Sequence, residues 1–216
     1  MSNEVKTKEK VNMDPKYIIK LGVTLFVTCV VVAGLLGLVN MVTEDKIAAI
    51  NWENTQTAMK AVVADPENAE FSEAMEPTSD MTAAASAAGG TLDSVYEVLV
   101  GGESAGYAIK VVASGSQGNI EMMVGVDADG VVTGVSIVKN SETSGIGSKV
   151  MTNQPTAKGV GVLDQFEGKS AADGTLAVGT NVDAISGATV SSRGVTTGVN
   201  AALAVAGAIG GERGSN

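Results

Sequence analysis

An uncharged apolar run, LGVTLFVTCVVVAGLLGLV, extends from Leu21 to Val39 and constrains the fold more than any other segment. About 20 apolar residues are enough to cross a hydrocarbon core of about 30 Å, so the run predicts a transmembrane helix over residues 18–42. A cleaved signal peptide is the alternative, but its apolar part is about 7 to 15 residues long and ends in an A-x-A-like site. No such site lies between Leu36 and Asp45, and we therefore expect a retained anchor surrounded by membrane lipid.

The charges beside this run predict its orientation. Five lysines precede it, at Lys6, Lys8, Lys10, Lys16 and Lys20, whereas a mixed Thr-Glu-Asp-Lys sequence follows it. Basic residues collect on the cytoplasmic side of membrane helices. We therefore expect a single-pass protein of a bacterial cytoplasmic membrane, with residues 1–17 in the cytoplasm and the rest of the chain, beyond the helix, on the extracytoplasmic side.

The composition excludes several classes of function. The chain has 14 basic and 24 acidic residues and a formal net charge of −10, and most of the acidic residues follow the apolar run. A nucleic-acid binder needs a basic face, so we expect no nucleic-acid partner. The chain has no histidine, and Cys29 is its single cysteine. The usual zinc, haem and iron–sulfur ligand sets are thus absent, and no metal site is predicted. Cys29 is interpreted as a small packing residue, the alternative being a site shared with a partner subunit.

The segment between the apolar run and the first clear strand is less regular. Residues 43–73 are interpreted as a stalk region. Its helix continues or follows the anchor and is predicted to end at Asp65-Pro66. Residues 74–94 are rich in Ala, Ser, Thr and Gly, and we interpret them as a low-complexity linker or surface loop. Polyalanine can also be helical, which is the alternative for this segment.

A different pattern begins at Val95. Four short segments rich in β-branched residues, VYEVLV, GYAIKVVAS, NIEMMVGVD and GVVTGVSIVK, alternate with Gly-containing turns and predict an antiparallel meander. The sequence Asp129-Gly130 makes the last of these connections the clearest hairpin. After an irregular segment, a helix is predicted to begin just after Thr189 and to end at Gly210-Gly211. Its apolar stripe can pack on the sheet and consists of Val195, Val199, Leu203, Ala206 and Ile209.

These elements together predict an α+β fold. One N-terminal transmembrane helix is followed by an exported domain, residues 95–211, in which an antiparallel sheet packs against helices. Residues 212–216 are expected to form a short C-terminal tail.

The segment SGATVSS crowds hydroxyl groups directly before the last helix, at Ser186, Thr189, Ser191 and Ser192. Helix capping is one interpretation, although one hydroxyl would suffice for it. The other is an anion site, in which Gly187 permits a tight turn and the first N–H groups of the helix bind a phosphate with help from the hydroxyls. The residues alone leave both interpretations open.

The sequence from Asp183 to Thr189, DAISGAT, resembles the D-x-x-[ST]-G-A-T motif of the FMN-binding domain family, and the Ser-Ser pair after it continues the motif. The resemblance implies FMN as the cofactor, joined through its phosphate to the Thr189 hydroxyl by a separate flavin transferase that draws on FAD. It also implies a cofactor-binding role for Asp183, Ser186, Gly187, Ala188, Ser191 and Ser192. A solvated loop charge is the alternative for Asp183.

A second stretch, SETSGIG from Ser141 to Gly147, is similar to the E-T-P-G-L-G loop of the same family, with Ser144 where proline is usual and Ile146 where leucine is usual. The resemblance implies that Glu142, Thr143 and Gly145 also contribute to the flavin site. The alternatives are a solvated charge for Glu142 and a turn residue for Thr143.

The single span, the chain length and the form DAISGATVSSRGVTTGVNAAL resemble the G subunits of Rnf complexes, which are ion-translocating ferredoxin:NAD oxidoreductases. The resemblance implies an electron-transfer subunit, not an independent catalyst, that works with other subunits of a membrane redox complex coupled to movement of Na⁺ or H⁺. One alternative is the C subunit of the sodium-translocating NADH:quinone reductase, and another is a tethered flavin domain for extracellular electron transfer. A pilin-like subunit is more distant, because the cleaved leader and early Glu of pilins do not occur around Tyr17–Phe26.

Overall fold

The computed structural model describes residues 15–213 of the chain. Most of the predicted cytoplasmic N-terminus, with Lys6, Lys8 and Lys10, and the end of the predicted C-terminal tail therefore lie outside the described residues. The chain divides into two units, one that ends at Ile50 and a second that begins at Asn51. A continuous helix of 47 residues, α1 (Pro15–Ala61), contains the whole apolar run and supplies its C-terminal end to the second unit.

The apolar part of α1 has the surface expected of a membrane anchor. Its large side chains are uncovered, with Phe26 68% exposed and Leu36 66% exposed. Among the described residues two helices are long and apolar enough to cross a membrane, α1 and the C-terminal helix, but 56% of the most apolar 18-residue stretch of the second is buried within the protein. The first is therefore the candidate anchor, and the second is a core helix.

A five-stranded antiparallel sheet forms the centre of the second unit, in the order β1-β2-β3-β4-β5. The strands are β1 (Ala69–Phe71), β2 (Thr91–Val100), β3 (Glu103–Ser114), β4 (Asn119–Asp127) and β5 (Val132–Asn140). The predicted meander is confirmed in β2 to β5. Gly130 has the positive φ, 79°, expected in the last hairpin, and the Asp127 carboxylate accepts the N–H groups of Asp129 and Val131 across that turn.

After β5 the chain forms a short helix, α3 (Ser148–Met151), and the C-terminal helix, α4 (Thr189–Arg213), covers one face of the sheet. The predicted apolar stripe is confirmed, since Val195 and Val199 are fully buried and Leu203 and Ile209 nearly so. The predicted end of the helix at Gly210-Gly211 is wrong, because the helix continues to Arg213. A glycine ends a helix by adopting a left-handed conformation, and neither of these glycines has a positive φ.

The other face is covered by the last residues of α1. Ala58, Met59 and Val62 pack there against side chains of β2, β3 and β4, namely Tyr96, Val98, Ala108 and Met123. The Thr133 hydroxyl of β5 donates a hydrogen bond to the Val62 carbonyl just beyond the helix. The sheet is thus buried on both sides, which explains why its central strands contain long apolar stretches.

The structure corrects the prediction for residues 43–94. The stalk helix ends at Ala61, and residues Ala69–Phe71 form the edge strand β1 rather than part of a stalk. The linker prediction for 74–94 is wrong, because this segment contains helix α2 (Ser79–Ala87) and the start of β2. The Thr78 hydroxyl caps α2 by accepting the Met81 N–H, and burial of Met81 and Ala85 fixes the helix on the core. Alanine has the highest helix propensity, so the packing of Met81 and Ala85 on the core is enough to order this alanine-rich helix.

Candidate functional site

Three segments that are distant in sequence meet around a cleft of about 310 Å³. They are the turn between β3 and β4, the loop that follows β5, and the turn that leads into α4. The cleft is lined by Ser116, Gln117, Glu142, Thr143, Ile146, Gly147, Gly187, Ala188, Thr189, Val190 and Ser191. Both family motifs therefore contribute to a single cavity, which is the candidate functional site.

The start of α4 forms one wall of this cleft. Gly187 has a φ of 82°, which a residue with a side chain rarely adopts, and the Ala188 N–H then bonds to the Ile185 carbonyl at 2.9 Å. The helix begins at Thr189, and Thr189, Val190 and Ser191 all line the cleft. The first N–H groups of a helix have no acceptor within it and carry a partial positive charge. This wall can therefore stabilise an anion without a cationic side chain, and the lining residues include no Lys or Arg.

The hydroxyl groups of the SGATVSS segment have different environments. Ser192 is buried, and its hydroxyl donates to the Ala188 carbonyl at 3.1 Å. The Ser191 hydroxyl donates to Glu142 Oε2 at 2.7 Å. Within residues 15–213 the hydroxyls of Ser186 and Thr189 form no such bond, and only Thr189 lines the cleft. Of the four residues, Thr189 is thus the one that lines the cavity and whose hydroxyl has no acceptor in the described part of the chain.

Six of the ten predicted site residues line the cleft: Glu142, Thr143, Gly187, Ala188, Thr189 and Ser191. The structure does not place the other four there. Ser186 and Gly145 are exposed outside it, the buried Ser192 hydroxyl bonds to the backbone behind it, and the Asp183 carboxylate pairs with Lys158 Nζ at 2.8 Å. Asp183 and Ser192 support the loop that carries Thr189 instead of lining the cavity.

Five lining residues were not predicted as site residues: Ile146, Gly147 and Val190 lie within or beside the two motifs, whereas Ser116 and Gln117 lie in a different segment. The sequence G-S-Q-G correctly indicated a turn between β3 and β4, but nothing in it indicated that the turn lies beside residues of α4. The backbone N–H groups of Ser116 and Gln117 donate to Glu142 Oε1 at 2.6 Å and 3.4 Å. The signal that could have found them is the glycine on either side, which allows the turn to approach another segment closely.

The side-chain amide of Gln165 holds the loop that leads to Thr189. Its Oε1 accepts the Asp183 N–H at 2.7 Å, and its Nε2 donates to the Asp183 carbonyl at 2.9 Å. The same Nε2 donates to the Val162 carbonyl at 2.9 Å. Gln165 thus pairs with the backbone of Asp183 as a neighbouring strand would.

We expect Gln165→Ala to loosen this loop without changing the cleft walls on the other two segments. Losing each of these three hydrogen bonds costs about 0.5–1.5 kcal/mol, so the variant should be about 1.5–4.5 kcal/mol less stable than the parent. Amide hydrogen exchange of the full chain in detergent should show faster exchange at Asp183. Gln154→Ala is the matched control, because the exposed Gln154 side chain forms no hydrogen bond in the described residues. Equal exchange at Asp183 in both variants would contradict the prediction.

Comparisons with known proteins agree with these observations. Residues 115–204 match the FMN-binding domain family, and residues 12–62 match the RnfG N-terminal region. The chain is 39% identical, over 93% of its length and 97% of the relative's, to the G subunit of the Na(+)-translocating ferredoxin:NAD(+) oxidoreductase complex of Acetobacterium woodii. It is 32% identical, over 88% and 95% of the two chains, to the G subunit of the ion-translocating oxidoreductase complex of Methanosarcina acetivorans.

A solved structure with similarity to the chain is the C subunit of the Na(+)-translocating NADH-quinone reductase of Parabacteroides distasonis. The two are 20% identical with a TM-score of 0.44, over 76% of this chain and 93% of the other. The extent and identity of the two sequence relatives, together with the two family matches, confirm both resemblances seen in the sequence. The chain belongs to the family of G subunits of ion-translocating Rnf oxidoreductase complexes, and it contains an FMN-binding domain.

Proposed function

We propose that this chain is the membrane-anchored electron-transfer subunit of a ferredoxin:NAD oxidoreductase complex that translocates Na⁺ or H⁺, and that it carries FMN joined by a phosphoester to Thr189. The observation that carries the proposal is the position of the Thr189 hydroxyl. It lies at the first residue of α4, in a cleft formed by both family motifs, while the Ser191 and Ser192 hydroxyls are engaged within the protein.

The residues of the cleft fit the parts of FMN. The first N–H groups of α4 and the glycine turn before it suit a phosphate attached at Thr189. Ile146 and Val190 line the cleft and are 55% and 52% exposed. They offer apolar surface to an aromatic ring system. The volume of about 310 Å³ is at the lower end of the range of about 300–1,000 Å³ for ligand sites, so part of the cofactor would remain accessible to redox partners.

When bound, FMN supplies the chemistry of electron acceptance and release. This chain holds the FMN in place relative to the other redox centres of the complex. The phosphoester keeps the cofactor on the protein, which maintains a high local concentration outside the cytoplasm, where a dissociated flavin would be lost. The helix start stabilises the phosphate charge, and α1 anchors the chain to the membrane that holds the other subunits. In this proposal the chain is an electron carrier that works with the other subunits and not an independent catalyst.

Covalent attachment is tested on the full chain produced in its own host, where the flavin transferase is present. After denaturing electrophoresis under ultraviolet light we expect a fluorescent band at the position of the chain, and we expect mass spectrometry to give a mass higher by one FMN less one water. A dark band of unmodified mass, in cells whose transferase modifies another flavoprotein, would overturn this part of the proposal.

The place of the chain in a complex is tested separately. Deleting its gene should abolish ferredoxin:NAD oxidoreductase activity in host membranes, and the full chain supplied from a plasmid should restore it. Affinity purification in mild detergent should recover the other subunits with the tagged chain. Protease added to intact spheroplasts should digest the domain beyond α1, because the lysines before the apolar run predict that this domain is extracytoplasmic. Unchanged membrane activity after deletion would favour a flavin domain outside such a complex.

A further inference from the structure

The Glu142 carboxylate lies where the three segments of the cleft meet. It belongs to the loop after β5, and it is bonded to both of the other segments. Its Oε1 accepts the N–H groups of Ser116 and Gln117 in the β3–β4 turn, at 2.6 Å and 3.4 Å. Its Oε2 accepts the hydroxyl of Ser191 in the first turn of α4 at 2.7 Å. Hydrogen bonds to a carboxylate are about twice as strong as those between neutral groups.

Two glycines are shaped around this carboxylate. A Cβ atom added to Gly115, at the start of the β3–β4 turn, would overlap Glu142 Oε1. A Cβ atom added to Gly147, at the end of the loop after β5, would overlap Glu142 Oε2. The absence of a side chain at Gly115 and Gly147 therefore leaves space for the Glu142 carboxylate, and a larger residue at either position would displace it.

From this geometry we infer that Glu142 is a positioning residue that joins the three walls of the cleft, and that it does not bind the flavin directly. The inference rests on the proposed attachment of FMN at Thr189 and deepens it. Three hydrogen bonds from within the protein occupy most of the roughly four acceptor positions of this carboxylate, and all three join walls of the cleft. The contact with Ser191 fixes the first turn of α4, two residues from the Thr189 hydroxyl.

The same contact gives the hydroxyl groups of Ser191 and Thr189 different environments. The proton of the Ser191 hydroxyl points to Glu142 Oε2, so this hydroxyl cannot also donate to a phosphate in the cleft. Thr189 has no comparable acceptor within the described residues. Glu142 thus holds the Ser191 side chain within the protein, and it acts on attachment at Thr189 only through the position of the walls.

Replacing Glu142 with glutamine removes the negative charge but keeps most of the hydrogen-bonding capacity, so the two contributions can be measured separately. In Glu142→Gln the amide oxygen can still accept the Ser116 N–H, and the amide nitrogen can donate to the Ser191 oxygen once that hydroxyl rotates. In Glu142→Ala all three bonds are lost, and two glycine-lined spaces are left empty. Glu167→Ala is the control, because Glu167 is exposed and its carboxylate forms no hydrogen bond or ion pair in the part of the chain that the structure describes.

The first measurement is the initial rate of flavin attachment to the full-length, flavin-free chain in detergent, with purified flavin transferase and FAD. We expect the alanine variant to be slower by about tenfold or more, since a small misplacement of a reacting group can cost up to about a hundredfold. The glutamine variant should stay within about threefold of the parent. The Glu167 variant should match the parent.

The second measurement does not depend on flavin. Amide hydrogen exchange is followed at Ser116 and Gln117 in each variant on a Thr189→Val background, and we expect lost protection with alanine and retained protection with glutamine. A glutamine variant as slow in attachment as the alanine variant, with protection retained, would overturn the inference by showing that the charge itself acts. Normal attachment and protection in the alanine variant would also overturn it. A parent chain that accepts no flavin would instead overturn the proposed function, and the exchange data would still show whether Glu142 joins the walls.

Discussion

Thr189→Val should yield a folded, membrane-bound chain with no covalent flavin. Valine has nearly the same shape as threonine and lacks only the hydroxyl that we propose as the attachment point. In the described structure that hydroxyl makes no hydrogen bond, so its removal should change the free energy of unfolding by less than about 0.5 kcal/mol. The fluorescent band on a denaturing gel should disappear completely, and the mass should be that of the unmodified chain.

Thr189→Ser and Ser186→Ala are the controls for this loss. The serine variant keeps a hydroxyl at the same backbone position and should still become fluorescent, although more slowly because serine has more rotamer freedom than threonine. Ser186 is exposed and lies outside the cleft, so its alanine variant should be fully modified. A fluorescent Thr189→Val chain would show that the attachment residue is another one, and tandem mass spectrometry of the peptide from residues 183–193 would identify it.

Gly194→Ala should destabilise the domain, although alanine is normally the better helix residue. An added Cβ at Gly194 would lie 2.6 Å from the Ser114 carbonyl oxygen and 3.1 Å from Ile120 Cδ1, where α4 crosses the ends of β3 and β4. A backbone oxygen cannot rotate away, so the helix must move from the sheet. We expect a loss of about 1–3 kcal/mol, and a fall in the melting temperature of about 2–4 °C per kcal/mol for a domain of this size.

Gly207→Ala provides the matched control in the same helix. An added Cβ there meets no atom within 4 Å, and Gly207 is exposed. The substitution should therefore raise stability by about 0.5–1 kcal/mol through helix propensity alone. Thermal unfolding of the full chain in detergent, followed by circular dichroism, measures both variants. Equal shifts of the same sign would contradict the role of Gly194 in close packing.

Much of this fold could be predicted because it is encoded locally. The strands β2 to β5 have alternating or continuous apolar patterns separated by glycine turns, and α4 has a regular stripe that includes Val195 and Val199. The elements that were missed lack such signals. β1 has only three residues, and its identity as a strand comes from pairing with Val98, Leu99 and Val100. α2 has a composition typical of a linker, and its Thr78 cap and buried Met81 can be recognised only with the core present.

Some residues of the candidate site could be predicted from the sequence, but their individual roles could not. Family motifs indicated Glu142, Thr143 and Thr189, and the structure brings all three to one cleft. The roles of the hydroxyl groups could not be predicted, because the Ser191 bond to Glu142 spans 49 residues of sequence. No local pattern shows that Ser192 turns inward or that Asp183 is held by Gln165. These are long-range contacts, and motif spacing carries no information about them.

The wide separation of the three cleft segments along the chain determines when the site can exist. A ribosome releases the turn at Ser116 and the loop at Glu142 well before it releases the first turn of α4 at Thr189. The hairpins of the sheet join neighbours in sequence and can pair early, whereas α4 must arrive last and dock on a finished sheet. The proposed attachment of flavin at Thr189 would consequently follow synthesis and folding and would be the last step of biogenesis. Cells that translocate the domain poorly should accumulate unmodified chain even when FAD and transferase are abundant.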